Sequence, residues 1–194
     1  DFTSTPFSRK EADFLVDELD VDFIKIASMD LNNYSFLEFL AKKGKPMVLS
    51  TGLSNLSEID KAVRQIEQTG NHQLVILHCV AIYPPDDREV NLRNINTLSR
   101  LYPYPIGFSD HSLGTSIPLA SVACGACLVE KHFTLDKNLP GPDHKASLEP
   151  AELKSMILAI RHIEKAMGSS IKQPSDAEKK NMLIARKSIH LSKN

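Results

Sequence analysis

The sequence predicts an α/β fold, a (β/α)8 TIM-type barrel, with about six of its eight strand–helix units within 194 residues. Three observations predict it. Strand-like and helix-like stretches alternate, with strand starts near residues 2, 23, 46, 74, 105 and 128. The strands are nearly continuous apolar runs, as in a parallel sheet covered by helices, rather than two-faced ones. Nearly every strand ends in polar residues: Thr5, Ser28, Ser50, Tyr83, Ser109 with His111, and His132. In a barrel those ends meet at one mouth, whereas an open sheet keeps its outer strands apart. No Gly-rich phosphate loop follows the first strand, which lowers the nucleotide-binding alternative.

The elements follow in order. The first residues, from about Phe2 to the polar end at Thr5, are strand-like, apolar and β-branched material. Ser8-Arg9-Lys10-Glu11 is a capping-box pattern, and Phe14, Leu15 and Leu19 mark one face of the helix it opens. A strand at 23–28 is followed by a helix opening near Asn33, with Phe36, Leu37 and Leu40 inward and Gly44 at its end. The strand at 46–52 leads to a helix carrying Ile59, Ala62, Val63 and Ile66. The strand at 74–79 leads to one carrying Leu92, Ile95 and Leu98. Strands at 106–111 and 128–133 flank a small-residue helix from Ile117 to Ala123. After a loop at 137–148, Glu149-Pro150 starts a helix whose apolar residues, Leu153, Met156, Ile157, Ile160, Ile163 and Met167, recur at helical spacing. The polar stretch from Ser169 reads as a linker, leading to an alternating stretch at 189–194. The first and last residues both fall in strand-like material, so the chain is expected to be a piece of a longer protein.

Composition sets bounds on function. Hydrophobic residues make up 42% and charged ones 24%, ordinary values for a globular domain. Lys plus Arg (23) nearly balances Asp plus Glu (24), so the diffuse basic field of a nucleic-acid binder is absent. No apolar run approaches a membrane span and the opening residues lack a signal-peptide pattern. Three cysteines without framework spacing point to reduced thiols. A cytoplasmic domain is expected.

His111 and His132 stand one strand–helix unit apart, each at the carboxyl end of its strand. Neighbouring strands would let both imidazoles face one divalent metal, with open positions left over. The plainer reading is two satisfied strand-end histidines. Ser28, Ser50 and Ser109, with Thr5 and Lys25, could ring a phosphate, hydroxyls donating to its oxygens and Lys25 supplying charge. Serines at turns are more often turn formers. Asp143 and His144 lie in a loop over the expected mouth, where Asp143 could bind substrate hydroxyls. Cys124-Gly125-Ala126-Cys127 has CxxC spacing without a second pair and reads as packing. His78 and Cys79 read as core, His72 and His162 as surface.

These stretches resemble the catalytic barrel of the sialic acid synthase family. The matching motifs are Ser4-Thr5-Pro6-Phe7, Lys25-Ile26-Ala27-Ser28, Leu49-Ser50-Thr51-Gly52, His78-Cys79 with Tyr83-Pro84, Asn91-Leu92, Gly107-Phe108-Ser109-Asp110-His111, Glu130-Lys131-His132-Phe133-Thr134 and Gly141-Pro142-Asp143-His144. They run in family order from residue 2 to about 168. The resemblance implies condensation of phosphoenolpyruvate with an N-acylated mannosamine-type sugar to a nonulosonic (sialic) acid, with release of phosphate. It implies that His111 and His132 hold Mn²⁺ or Mg²⁺, and that Thr5, Lys25, Ser28, Ser50 and Ser109 hold phosphoenolpyruvate. Tyr83 and Asp143 would face the sugar, and Asp30 matches an acidic position near the site. Lys25, Asp30 and Asp143 are the candidate catalytic residues. Ala81 stands where the family carries Asn or Ser beside the phosphate, which removes one hydrogen bond.

Residues 185–189 resemble the entry to the antifreeze-like (SAF) domain that follows the family's barrel. The expected organisation is therefore a partial barrel over 1–168, then linker and domain start over 169–194. The family's barrel begins with two further strands, which carry a Glu and a Lys of the site, and the family's homodimer adds an Arg from the partner's antifreeze-like domain. The 194 residues alone are therefore expected to be inactive. Two other readings remain. Another phosphoenolpyruvate-dependent deoxy-sugar acid synthase would need extra cations for a sugar phosphate. A non-catalytic metal- or sugar-binding barrel piece would need no complete site.

Overall fold

The computed structural model describes residues 2–187. Five parallel strands form one sheet in sequential order: β1 (Ile24–Ile26), β2 (Met47–Ser50), β3 (Leu74–Cys79), β4 (Ile106–Asp110) and β5 (Val129–Lys131). The register pairs Ile24 with Met47, Met47 with Leu74, Ile76 with Ile106 and Phe108 with Val129. The sheet curls into a half-barrel. Helices α1 (Arg9–Asp13), α2 (Tyr34–Ala41), α3 (Leu56–Glu67), α4 (Arg93–Leu101), α5 (Ser116–Ala123) and α6 (Pro150–Met167) cover it or extend from it, and α7 (Asp176–Ala185) follows.

Because strand side chains alternate between faces, each strand contributes to two environments. Ile24, Ile26, Met47, Leu49, Ile76 and Phe108 point to the helices and form the core with Leu37, Leu40, Ile59, Ile66 and Ile95. Each such side chain, fully buried, contributes about 1.5–3 kcal/mol. α3 shows how locally this is specified. Asn55 and Glu58 close a reciprocal capping box at its start. Ile59, Ala62, Val63 and Ile66 then recur on one face, and all four are buried.

Several expectations need correction. Residues 2–7 form no strand, so the sheet has five strands rather than six. Thr3 Oγ1 donates to Phe23 O (2.6 Å), which lays this segment beside β1 through a side chain. Pro6 has no N–H to give to a ladder, and Phe2 and Phe7 stay exposed. The first helix buries Ala12, Leu15 and Val16 rather than Phe14 and Leu19. It passes from α1 into a π turn at Phe14–Glu18, closed by Leu19 N–H to Phe14 O. That wider turn takes Phe14 and Leu19 off the 3.6-residue face. In α6 only Met156 is buried, and Ile157 and Met167 remain exposed. The stretch after Ser169 contains α7, opened by a Ser175–Glu178 capping box. The alternating stretch from residue 189 lies outside the described residues.

No helix among the described residues is long and apolar enough to cross a membrane. The three cysteines are free thiols.

Candidate active site

The residues of each strand that point away from the helices are Lys25, Ser50, Cys79, Ser109 and Glu130, with His111 and His132 one step beyond β4 and β5. They line a cavity of about 400 Å³ at the carboxyl ends of the strands, together with Thr5, Ser28 and Tyr83. Eight sequence-predicted residues are thus brought together: Thr5, Lys25, Ser28, Ser50, Tyr83, Ser109, His111 and His132. Asp143 stands at the rim, its Oδ2 3.9 Å from His132 Nδ1. Asp30 is not gathered in. It sits in a 3₁₀ turn after β1, and its carboxylate accepts from Asn33 Nδ2 (3.2 Å). A larger groove of about 640 Å³ shares Leu53, Cys79 and Ala81 as a wall, but neither Lys nor Arg lines it. The smaller cavity has the chemistry for an anion.

Its polar groups satisfy one another. Lys25 Nζ donates to Ser50 Oγ (2.7 Å) and to Ile26 O (3.1 Å), and stands 3.6 Å from Glu130 Oε2. Ser109 Oγ donates to Glu130 Oε1 (2.6 Å). Ser28 Oγ accepts from Gly52 N–H (2.9 Å) and lies 3.6 Å from Cys79 Sγ. The close approach explains Gly52: a Cβ there would meet Ser28 Oγ at 2.8 Å and Cys79 Sγ at 3.2 Å. An anion entering between Lys25, Ser50 and Ser109 must displace the Glu130 carboxylate from its contacts.

Glu130 was not picked out as a site residue from the sequence, although its motif was. Residue parity could have found it. Glu130 is two positions before His132, as Ser109 is two before His111, so all four share one face.

His111 Nδ1 lies 2.8 Å from Val80 O, so Nδ1 carries the proton and donates, leaving the Nε2 lone pair free. Burial holds the His111 pKa below the ordinary imidazole value. The Val80 bond opposes that shift and nearby His132 adds to it. The His111 and His132 rings stand edge to face, centroids 5.3 Å apart. Tyr83 packs on His111 with centroids 3.9 Å apart, and half its surface stays exposed at the mouth. Burial raises the Tyr83 phenol pKa, with Cys79, Asp143 and Glu130 adding to it. Burial likewise pushes the Cys79 thiol up, against the hydroxyls of Ser28 and Ser109, so it stays a thiol.

The loop over the mouth is tied down. Thr134 Oγ1 lies 2.7 Å from His144 Nδ1, and the carbonyl of Asp143 accepts from the N–H groups of Ala146 and Ser147. These bonds fix the backbone of Asp143 while its side chain faces His132 at the rim.

The side chains that could hold a metal at the mouth are two imidazoles, His111 and His132. Among the described residues no group of three or more His, Cys, Asp or Glu side chains converges as a full protein ligand sphere would. Two nitrogen donors facing an open cavity fit a divalent transition ion with open positions better than Mg²⁺, which favours oxygen.

Residues 1–172 match the model of the NeuB family. The N,N'-diacetyllegionaminic acid synthase of Campylobacter jejuni is 46% identical over the whole chain and 58% of its own length. Human N-acetylneuraminate-9-phosphate synthase is 43% identical over 89% of the chain and 48% of its own length. The chain thus spans about half the length of these curated relatives. Among solved structures, an N-acetylneuraminic acid synthetase from Leptospira borgpetersenii in complex with citrate superposes with a TM-score of 0.87 at 38% identity, covering 92% of this chain and 62% of that one.

Proposed function

The chain belongs to the NeuB family, and from that premise we propose that it forms the greater part of the site of a nonulosonic acid synthase. In this reading the protein that carries it condenses phosphoenolpyruvate with an N-acylated mannosamine-type sugar and releases phosphate. The observation that carries the reading is one cavity lined together by Lys25, Ser50, Ser109, Tyr83, His111 and His132.

The chemistry is divided among the residues. Lys25 supplies positive charge to the phosphate and carboxylate of phosphoenolpyruvate, and Thr5, Ser28, Ser50 and Ser109 donate or relay hydrogen bonds to them. Holding the enol in place makes its C3 a positioned nucleophile for the open-chain aldehyde carbon of the sugar, and the new C–C bond forms there. Water adds at C2, and phosphate leaves with cleavage of the C–O bond. Tyr83 offers an apolar face, and Asp143 a hydroxyl acceptor, on the sugar side. Asp30 is given no part. His111 and His132 would hold a divalent ion, Mn²⁺ ahead of Mg²⁺, which supplies Lewis-acid polarisation of the aldehyde oxygen when bound. A cytoplasmic setting suits this chemistry, because phosphoenolpyruvate is an intracellular metabolite; the homodimer is what the family resemblance implies.

The test is phosphate release from phosphoenolpyruvate against a panel of N-acyl mannosamines, phosphorylated and not. It should be run on the longer protein that carries this chain and on the 194 residues alone. Sugar-dependent release by the longer protein, and little or none by the 194 residues, is expected, because among the described residues β1 and β5 each have one side without a partner strand. No sugar-dependent release from either would sink the reading. Turnover by the 194 residues at the longer protein's rate would show that a half-barrel suffices. Preference for a phosphorylated N-acyl mannosamine would make the product a 9-phosphate, as the human relative's name says of that protein, whereas turnover only of phosphorylated aldoses without the N-acyl group would favour a different phosphoenolpyruvate-dependent synthase.

A further inference from the structure

The end of β4 and the end of β5 are joined by three successive rungs. Ser109 pairs with Glu130 on the cavity side, Asp110 with Lys131 on the helix side, and then His111 and His132 on the cavity side again. The middle rung is unusual. It lies on the face that elsewhere carries Ile24, Ile26, Met47, Leu49, Ile76 and Phe108. Both its side chains are out of water, Lys131 at 3% and Asp110 at 1% exposure, with Nζ to Oδ2 at 2.7 Å. A buried ion pair is no bargain for stability, since apolar residues of like volume often do as well or better there. Its presence in a layer that is apolar apart from His78 therefore asks for another reason.

The remaining hydrogen bonds supply one. Lys131 Nζ also donates to the carbonyl of Ser112, and Asp110 Oδ1 accepts from the Ser112 N–H (2.9 Å). The peptide groups after His111 are thereby held on both sides, one to β5 and one to β4. The Ser112 hydroxyl is buried with no partner, so the residue is secured through its backbone and not its side chain. His111 is thus clamped at its backbone by this network and at its ring by Val80 O. Lys131, the residue before His132, belongs to the same clamp, so the two imidazoles share one frame.

We propose that the Asp110–Lys131 pair is a positioning unit that sets His111 and His132 relative to each other for one divalent ion. The inference rests on the reading of these imidazoles as metal donors. Its test uses Asp110→Leu/Lys131→Met, which replaces both charges by apolar groups and strands neither. Three quantities are measured: the thermal midpoint, the affinity for Mn²⁺ alone by calorimetry, and the ¹⁵N signature of the His111 ring in metal-free protein. His111→Ala marks the floor for lost binding. The double variant should fold with a lower midpoint, because the buried Ser112 N–H and C=O lose their partners, bind Mn²⁺ about 10- to 100-fold more weakly, and show a mixture of His111 tautomers in place of Nδ1–H alone. A folded double variant with parental Mn²⁺ affinity and an unchanged His111 signature overturns the proposal. If the double variant does not fold, Asp110→Asn, which keeps the volume and an acceptor for Ser112, decides in the same way: weakened binding supports it and parental binding overturns it. A parent that fails to bind Mn²⁺ sinks the metal reading instead. The His111 tautomers in metal-free protein then decide the positioning role alone.

Discussion

The two faces of the sheet are built from alternate residues of the same five strands, and they obey different rules. On the helix side, Phe108, Ile76 and Leu49 need only fill space, and helices from this chain close over them. On the cavity side, Lys25, Ser50, Ser109 and Glu130 each need a partner of particular chemistry, and in this structure they find it in one another. One face is complete when the helices dock. The other stays open because the sheet curls without closing, and its hydrogen bonds are those a substrate would have to take over. Stability and chemistry thus sit at adjacent positions of one strand, a single residue apart.

The sharpest test of that division compares neighbours. Phe108→Ala, on the core face at 2% exposure, should cost about 3–5 kcal/mol in urea unfolding. Ser109→Ala should cost about 1 kcal/mol or less while weakening phosphoenolpyruvate binding. Equal stability losses would break the comparison. Next in size is Lys25→Met, which keeps the stem and removes the charge. Loss of one well-placed charged contact is expected to lower kcat/KM for phosphoenolpyruvate by roughly 10²–10³ in the longer protein. An unchanged value would take Lys25 out of the site.

The smallest effect concerns pH and the two buried histidines, one on each face. Burial lowers the pKa of both His78 and His111 below the ordinary 6.5. Such a group binds its proton more readily unfolded than folded. The stability that depends on its staying neutral is whole above pH 6.5 and is lost as pH falls from there toward the folded value. The slope cannot exceed about 1.4 kcal/mol per pH unit for each histidine. His78→Gln and His111→Gln should each flatten the acid limb of a stability-against-pH curve measured by urea unfolding. A limb unaltered by both would mean that neither ring is held neutral.

Much of this was legible in the sequence, for physical reasons. Continuous apolar strand runs and helical-period apolar faces placed the five observed strands to within two residues of their ends, because local pattern and tertiary burial agree there. The polar strand ends were legible for the same reason, since parity alone decides which of them face the mouth. Glu130 was missed because an acidic residue near a strand end looks solvated unless that parity is followed across to Ser109. The strand expected from residue 2 to Thr5 failed because β-propensity cannot supply a partner: Thr3 reaches β1 only through its hydroxyl. Phe14 and Leu19 misled because a π turn, which no spacing rule anticipates, changes the residues per turn within one short helix. The α7 capping box at Ser175–Glu178 was present in the sequence and was masked by the polarity around it.

The sequential strand order has a kinetic consequence. Every ladder joins stretches only 21 to 30 residues apart in the chain, so closing each one costs nearly the same loop entropy, and none must wait for a distant segment. Assembly can therefore begin at β2–β3–β4, where the middle strand gains a neighbour on both sides, and spread outward to β1 and β5. The outermost strands carry Lys25 and Glu130, whose side chains meet across the cavity mouth. Their meeting is possible only after the whole sheet has formed and curled. The Lys25–Glu130 contact is thus a reporter of the final folding step, and amide exchange should find its two strands the first to open and the last to become protected.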